Sequence, residues 1–136
     1  MSESNTHIRL VSKLVTWIAA EYYRGDTGSV LVDCPENQSI AKPPVIAGYV
    51  PDVFSHGLLG GGVVIGEAKT AGDVENLHTR EQLAAFLSYC DTRQGSVFVF
   101  AVPWHMTRYA RSLVEIVRRR CNCGNVTIIV LDQLEG

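Results

Sequence analysis

The chain has 136 residues, 46% of them hydrophobic and 19% charged, with a mean hydropathy of +0.09. That is the size of one domain around one packed core, so residues 1–136 read as a single domain, and a disordered or low-complexity chain is excluded. A net charge of −2 excludes a surface built throughout to attract nucleic acid.

Residues 1–6 lack the basic-then-apolar order of a secretion signal, and no apolar run reaches the roughly 20 residues of a bilayer span. A cytoplasmic location with no membrane partner is therefore expected. Residues 5–24 carry apolar side chains at three- and four-residue steps, with Ile8, Val11, Val15, Ile18 and Tyr22 in one row and Leu10, Leu14 and Trp17 in the next. This spacing predicts an amphipathic helix ended by Gly25. Glu21 continues the second row and is expected at the buried face, whereas His7 reads as solvent-exposed. Residues 29–33 and 45–50 read as strands, the second following the turn-forming Lys42-Pro43-Pro44. Pro51-Asp52 and a glycine-rich connection come next, with Gly60-Gly61-Gly62 as a hairpin tip. Residues 62–70 then form a third strand ending in Glu67-Ala68-Lys69.

Thr79-Arg80-Glu81-Gln82 has the spacing of a capping box, which starts a second helix with Leu83, Phe86, Leu87 and Cys90 on its core face and Gly95 past its end. Residues 96–102 are apolar almost throughout, as in a strand covered on both faces, and Pro103 breaks the run. Tyr109, Leu113, Ile116 and Val117 mark a third helix ended near Gly124, and residues 126–131 form a last buried strand. A helix between two buried strands implies a parallel crossover. The order is α-β-β-β-α-β-α-β, an α/β fold with a mixed central sheet flanked by helices. Cys34, Cys90, Cys121 and Cys123 are widely scattered and expected as free thiols. Cys121-Asn122-Cys123 lacks both the spacing and the second pair of a zinc site.

Side chains alternate along a strand, so Glu67 and Lys69 project together. Asp52, placed at the end of the preceding strand, is brought alongside Glu67 by the hairpin. Two carboxylates at neighbouring strand ends suit a hard cation such as Mg²⁺, and a lysine beside them can hold a water or stabilise charge on a phosphate. No Ser-His-Asp order, nucleophile elbow, dinucleotide fingerprint or Walker loop is present.

Pro51-Asp52 followed by Glu67-Ala68-Lys69, on this order of elements, resembles the PD-(D/E)xK nuclease superfamily. Its restriction-endonuclease-like fold is also seen in archaeal Holliday-junction resolvases and virus-type replication-repair nucleases. The likeness covers residues 5–102, with one further helix and strand appended. It implies a restriction-endonuclease-like three-layer core and a divalent-metal-dependent DNA nuclease, an endonuclease with structure-selective or low sequence specificity. By position it implies that Asp52, Glu67 and the Ala68 carbonyl hold Mg²⁺, with Mn²⁺ as a substitute, and that Lys69 acts at the water or the scissile phosphate. Glu21 corresponds to a first-helix glutamate that orients or shares a metal in many members. Gln82 with Phe86 resembles a glutamine followed four residues later by an aromatic, which is tyrosine in the strict form. A symmetric homodimer would cut both strands, as junction resolvases do.

Charge is polarised along the chain, because residues 104–123 hold Arg108, Arg111, Arg118, Arg119 and Arg120 against the single acid Glu115. These arginines either track a phosphate backbone or, late in a helix, complement its dipole. Arg80, Arg93 and His78 on the second helix are alternative phosphate contacts. A mobile glycine-rich loop beside the site, and residues 37–44, are the segments available for contact with nucleic acid. Two other readings stand beside the nuclease: a noncatalytic nucleic-acid-binding or assembly protein that retains the fold, and an α/β protein in which the motif is coincidental.

Overall fold

The structure is a computed structural model that describes residues 5–33 and 41–131. Helix α1 (Asn5–Tyr22) is followed by strands β1 (Leu31–Val32), β2 (Val53–His56) and β3 (Val63–Ala68). A single-turn α2 (Ala71–Val74) leads into α3 (Leu77–Asp91), β4 (Val97–Ala101), α4 (Thr107–Cys121) and β5 (Thr127–Leu131). The strands form one sheet in the order β1-β2-β3-β4-β5, antiparallel as far as β3 and parallel from β3 to β5. The chain is thus α/β with a mixed open sheet, and the expected crossover between the last two strands is parallel.

Alternation along β3 and β4 sorts the core into two layers. Val64, Ala68, Val97, Val99 and Ala101 face Leu10, Leu14 and Ile18 of α1. Ile65, Phe98 and Phe100 face Leu83, Phe86 and Leu87 of α3 and Ala110, Leu113 and Val114 of α4. Gly66 lets α1 lie close on the sheet: a Cβ there would come within 3.3 Å of Leu14 and Ile18 and 3.2 Å of Val53. Because β3 and β4 are parallel and each is followed by a helix returning over the same face, the start of α3, the start of α4 and the C-terminal ends of β3 and β4 share one end of the sheet. That end carries the candidate site.

Several local expectations are corrected. Residues 45–50 are not a strand; Ile46 and Tyr49 bridge across a tight turn whose central residues, Ala47 and Gly48, both have positive φ. The second strand is instead Val53–His56, read above as part of the connection, so Asp52 opens a strand rather than ending one. The α3 cap is Asn76, whose side chain accepts from the Thr79 amide at 2.9 Å. Thr79 lies in the first turn, buried, and donates its hydroxyl to the Asp73 carbonyl. Asparagine is an equally good cap, and its position three residues earlier wins. α4 ends at Asn122 in the left-handed region rather than near Gly124, and β5 is a half-covered edge strand rather than a buried one.

Cys90, Cys121 and Cys123 are free, as expected, and burial pushes the Cys90 thiol up to about 12, which makes it inert as a nucleophile. Cys34 lies outside the described residues. Among the described residues no helix is long and apolar enough to cross a membrane.

Gly62 packs against the Gly95 backbone, where a Cβ would meet the carbonyl carbon and oxygen at 2.7 Å. Backbone cannot yield as a side chain can, so Gly62→Ala is expected to cost about 1–3 kcal/mol in chemical denaturation. Gly72→Ala, which meets nothing within 4 Å, is expected to be neutral or stabilising.

Candidate functional site

β2 and β3 place the motif through their register. Val53 lies opposite Gly66, which puts Asp52 opposite Glu67 and Pro51 opposite Ala68 one and two steps further along. The two acids are then tied by each other's main chain. The Asp52 amide donates to Glu67 Oε1 at 3.1 Å, and the Ala68 amide donates to Asp52 Oδ2 at 2.9 Å. The amide and carbonyl of one strand residue point to the same side, so the Ala68 carbonyl also faces the Asp52 side. Pro51, the residue opposite, has no N–H to offer it.

Lys69 Nζ stands 3.4 Å from Glu67 Oε2, with only 14% and 4% of the two side chains exposed. Glu67 takes the α3 side of the sheet with Ile65. Burial, reinforced by the neighbouring Asp52 charge and opposed by Lys69, pushes its carboxyl from 4.5 to about 8. Burial and the Asp52 charge favour the protonated carboxyl, and a positive charge beside it favours the ionised one.

The helix contribution comes from a residue other than the one expected. His7, in the first turn of α1, places Nε2 3.3 Å from Asp52 Oδ2 and is largely buried rather than solvent-exposed. It lies one turn before Leu10 and Leu14 on the buried row, which is the signal that could have found it. Glu21 is exposed and is not brought to the site. It sits fourteen residues after His7, about 21 Å along the axis at 1.5 Å per residue. The C-terminal end of α1 adjoins the hairpin instead, where the Tyr23 hydroxyl donates to Ser55 Oγ at 2.8 Å. Each four-residue step turns a helix by about 40°, so the buried face passes from Leu10 to Ile18 and Ala19, and Glu21 falls on its solvent edge.

Gln82 is buried on α3, and its Oε1 has no hydrogen-bond partner among the described residues. His78 is exposed at the start of α3, with its ring edge-on to Tyr49 at 5.4 Å, and the Tyr49 hydroxyl donates to Glu81 at 3.3 Å. Arg80 is exposed on the first turn of α3 and Arg108 and Arg111 on the first turns of α4, at the site's end of the sheet. Arg93 lies at the opposite end of α3, stacked 3.9 Å over Tyr89. Arg118 is also remote and engaged, with Nη2 on Glu115 and Nη1 on the Val126 carbonyl, both at 3.1 Å. The glycine-rich tip joins the other ends of β2 and β3 and so does not adjoin the carboxylates. Of the loop 37–44, residues 37–40 lie outside the described residues.

Among the described residues no three His, Cys, Asp or Glu side chains converge as a preformed metal cluster. The donor set of two carboxylates and one main-chain carbonyl fits a hard cation that keeps several waters. Ionisation of both Asp52 and Glu67 would set two like charges side by side, a repulsion that such a cation would relieve. Comparison of the chain with protein-family models, with curated proteins and with solved structures gives no match.

Because the native state holds the Glu67 proton more tightly than the unfolded chain, its contribution is fully present below about pH 4.5 and is lost as pH rises through about 8. Thermal unfolding in EDTA is expected to show Tm falling across that window. In Glu67→Gln, which keeps the shape and cannot ionise, the fall is expected to be smaller and Tm at pH 8.5 higher than for the natural chain.

Proposed function

We propose that the chain is a divalent-metal-dependent nuclease that hydrolyses phosphodiester bonds in DNA. The observation that carries this reading is the pairing of Asp52 with a buried Glu67 across β2 and β3, with Lys69 against the same carboxylate. A buried carboxyl pushed up to about 8 by desolvation and a second carboxylate is a costly arrangement, and such arrangements concentrate at functional sites. A fold needs neither the second acid nor the lysine at this strand end.

Asp52, Glu67 and the Ala68 carbonyl would hold Mg²⁺ or Mn²⁺. A bound divalent ion supplies the positive charge that activates water and offsets charge on the phosphate. The chain's own groups do the rest. The Ala68 amide and His7 fix the Asp52 carboxylate from two sides, limiting its rotation. The Lys69 amine, on turning from Glu67, would hold an attacking water or offset charge on a phosphate oxygen. Attack of water on phosphorus with loss of the 3′ oxygen would give a 5′-phosphate and a 3′-hydroxyl, as in the superfamily that the motif resembles. Within the described residues, one sheet and its covering helices leave little surface for reading base edges, which supports low sequence specificity. A homodimer that joins two such sites would cut both strands.

Gel-resolved cleavage of plasmid, linear, single-stranded and four-way-junction DNA with Mg²⁺ or Mn²⁺ tests the proposal. Activity is expected with either ion, abolished by EDTA, and reduced about 10²-fold or more in Lys69→Ala. Absence of cleavage on every substrate at micromolar protein overturns it.

Isothermal titration with Mn²⁺ is expected to show binding by the natural chain that is lost in Asp52→Asn. Equal titration of both chains would remove Asp52 from the site.

A further inference from the structure

The arginines of α4 divide into two groups with different physical explanations. Arg118, Arg119 and Arg120 lie in the last turn, where a helix dipole favours cations, and Arg118 and Arg119 are also bonded to Glu115. Arg108 is the second residue of α4 and Arg111 lies one turn later, at the end where the dipole disfavours cations. The first turn of α4 contains no acid. The helix dipole therefore accounts for the late arginines and not for the early ones.

The residue that precedes them is equally unusual. Trp104, in the 3₁₀ turn that leads into α4, is 65% exposed, although tryptophan is among the more buried side chains in folded proteins. Its ring packs edge-on with His105 at 5.7 Å, an arrangement that does not cover both faces. Arg108 and Arg111 lie three residues apart on one side of α4, and Trp104 sits in the 3₁₀ turn that runs directly into that helix. Trp104 lies three residues after Ala101, which pairs with Ala68 and accepts the Lys69 amide at 3.1 Å. The tryptophan is thus no more than about 11 Å of chain from the strand end that carries the motif.

An exposed indole followed by guanidinium groups at the spacing of neighbouring helix positions matches one class of ligand. A nucleobase stacks on the ring while adjacent phosphates meet the arginines. A duplex keeps its bases stacked inside and cannot offer a face to Trp104 without unstacking. We infer that Trp104, Arg108 and Arg111 form a platform for an unpaired nucleotide beside the carboxylate site, so that the favoured substrate carries a single-stranded segment, as in a flap, an overhang or an open junction arm. The assignment of this ligand as substrate rests on the nuclease reading, whereas the platform itself is a binding surface that can be measured without cleavage.

The test is binding in EDTA, with fluorescence anisotropy of labelled oligo(dT) of about twelve nucleotides, the matching duplex, and oligo(U). The natural chain is expected to bind oligo(dT) at least tenfold more tightly than the duplex. Trp104→Ala is expected to weaken oligo(dT) binding about tenfold or more, and Trp104→Phe, which keeps a ring, to recover part of the loss. Arg108→Gln and Arg111→Gln are each expected to lower the slope of log affinity against log salt by about 0.7. In a Trp17→Phe background Trp104 is the sole tryptophan, and its emission is expected to be quenched by oligo(dT). Binding of oligo(dT) within twofold of the natural chain in Trp104→Ala, or equal binding of duplex and single strand, overturns the platform. Tighter binding of oligo(U) than oligo(dT) overturns DNA as its ligand. A platform that binds as expected on a chain that cuts nothing leaves the surface standing and overturns the nuclease, while cleavage that persists without the platform does the reverse.

Discussion

Glu67 is 3% exposed, and a buried carboxylate is tolerated only if it is protonated, paired or hydrogen-bonded. Here the proton, the Lys69 ammonium and the Asp52 amide share that task, and each of the last two fixes part of the architecture. The Asp52 amide reaches Glu67 only in the register that sets Val53 against Gly66. A slip of one residue would carry Glu67 to the face that holds Leu14 and Ile18, where no charged partner is described. The close seating of α1 on Gly66, the pairing of β2 with β3 and the placement of His7 over Asp52 all depend on that register.

The site is coupled both to the sheet's end and to the first helix. Asp52 Oδ2 takes a main-chain donor from β3 and faces the imidazole of α1, so the carboxylate is held by both an adjacent strand and the layer above it. A charged group anchored from two layers has little freedom to rotate, which lowers the entropy lost when it engages a ligand. The surroundings are poor in solvent, and the raised proton affinity of Glu67 follows from that burial and from the Asp52 charge.

The element order was legible because the periodicities are long and clean: α1, α3, β4 and α4 each show one uninterrupted pattern. Asp52, Glu67 and Lys69 were legible as a group because a proline-aspartate and an alternating Glu-x-Lys both fall where a hairpin joins them, even though the second strand was placed before Asp52 rather than after it. That error came from Val45 to Val50 being as β-branched and aromatic as a strand, while Ala47 and Gly48 adopt positive φ and fold it back on itself. Glu21 and His7 were exchanged for a single reason. A row of side chains drawn with fixed steps ignores the drift of the buried face along a helix lying on a twisted sheet, and that drift favours a residue at the start of the row over one at its end. The engagement of Arg118 with Val126 depends on the chain returning beside α4, which local sequence does not encode.

The order of strands in the sheet is the order of strands in the chain. Among the described strands none is inserted between two that precede it, but apart from the β2–β3 hairpin the paired residues are more than twenty apart in the chain, 33 apart between β3 and β4 and 30 between β4 and β5. The two acids, the lysine and the histidine all lie within residues 7–69, whereas α3, on whose side of the sheet Glu67 is buried, and the Ala101 carbonyl that takes the Lys69 amide come later in the chain. Trp104 and the early arginines of α4 come after β4, the strand that pairs with β3 at this end of the sheet. The carboxylate centre is therefore carried by the first half of the chain and the proposed aromatic surface by the second, so substitutions at Trp104 or Arg108 should leave the geometry of Asp52, Glu67 and Lys69 in place.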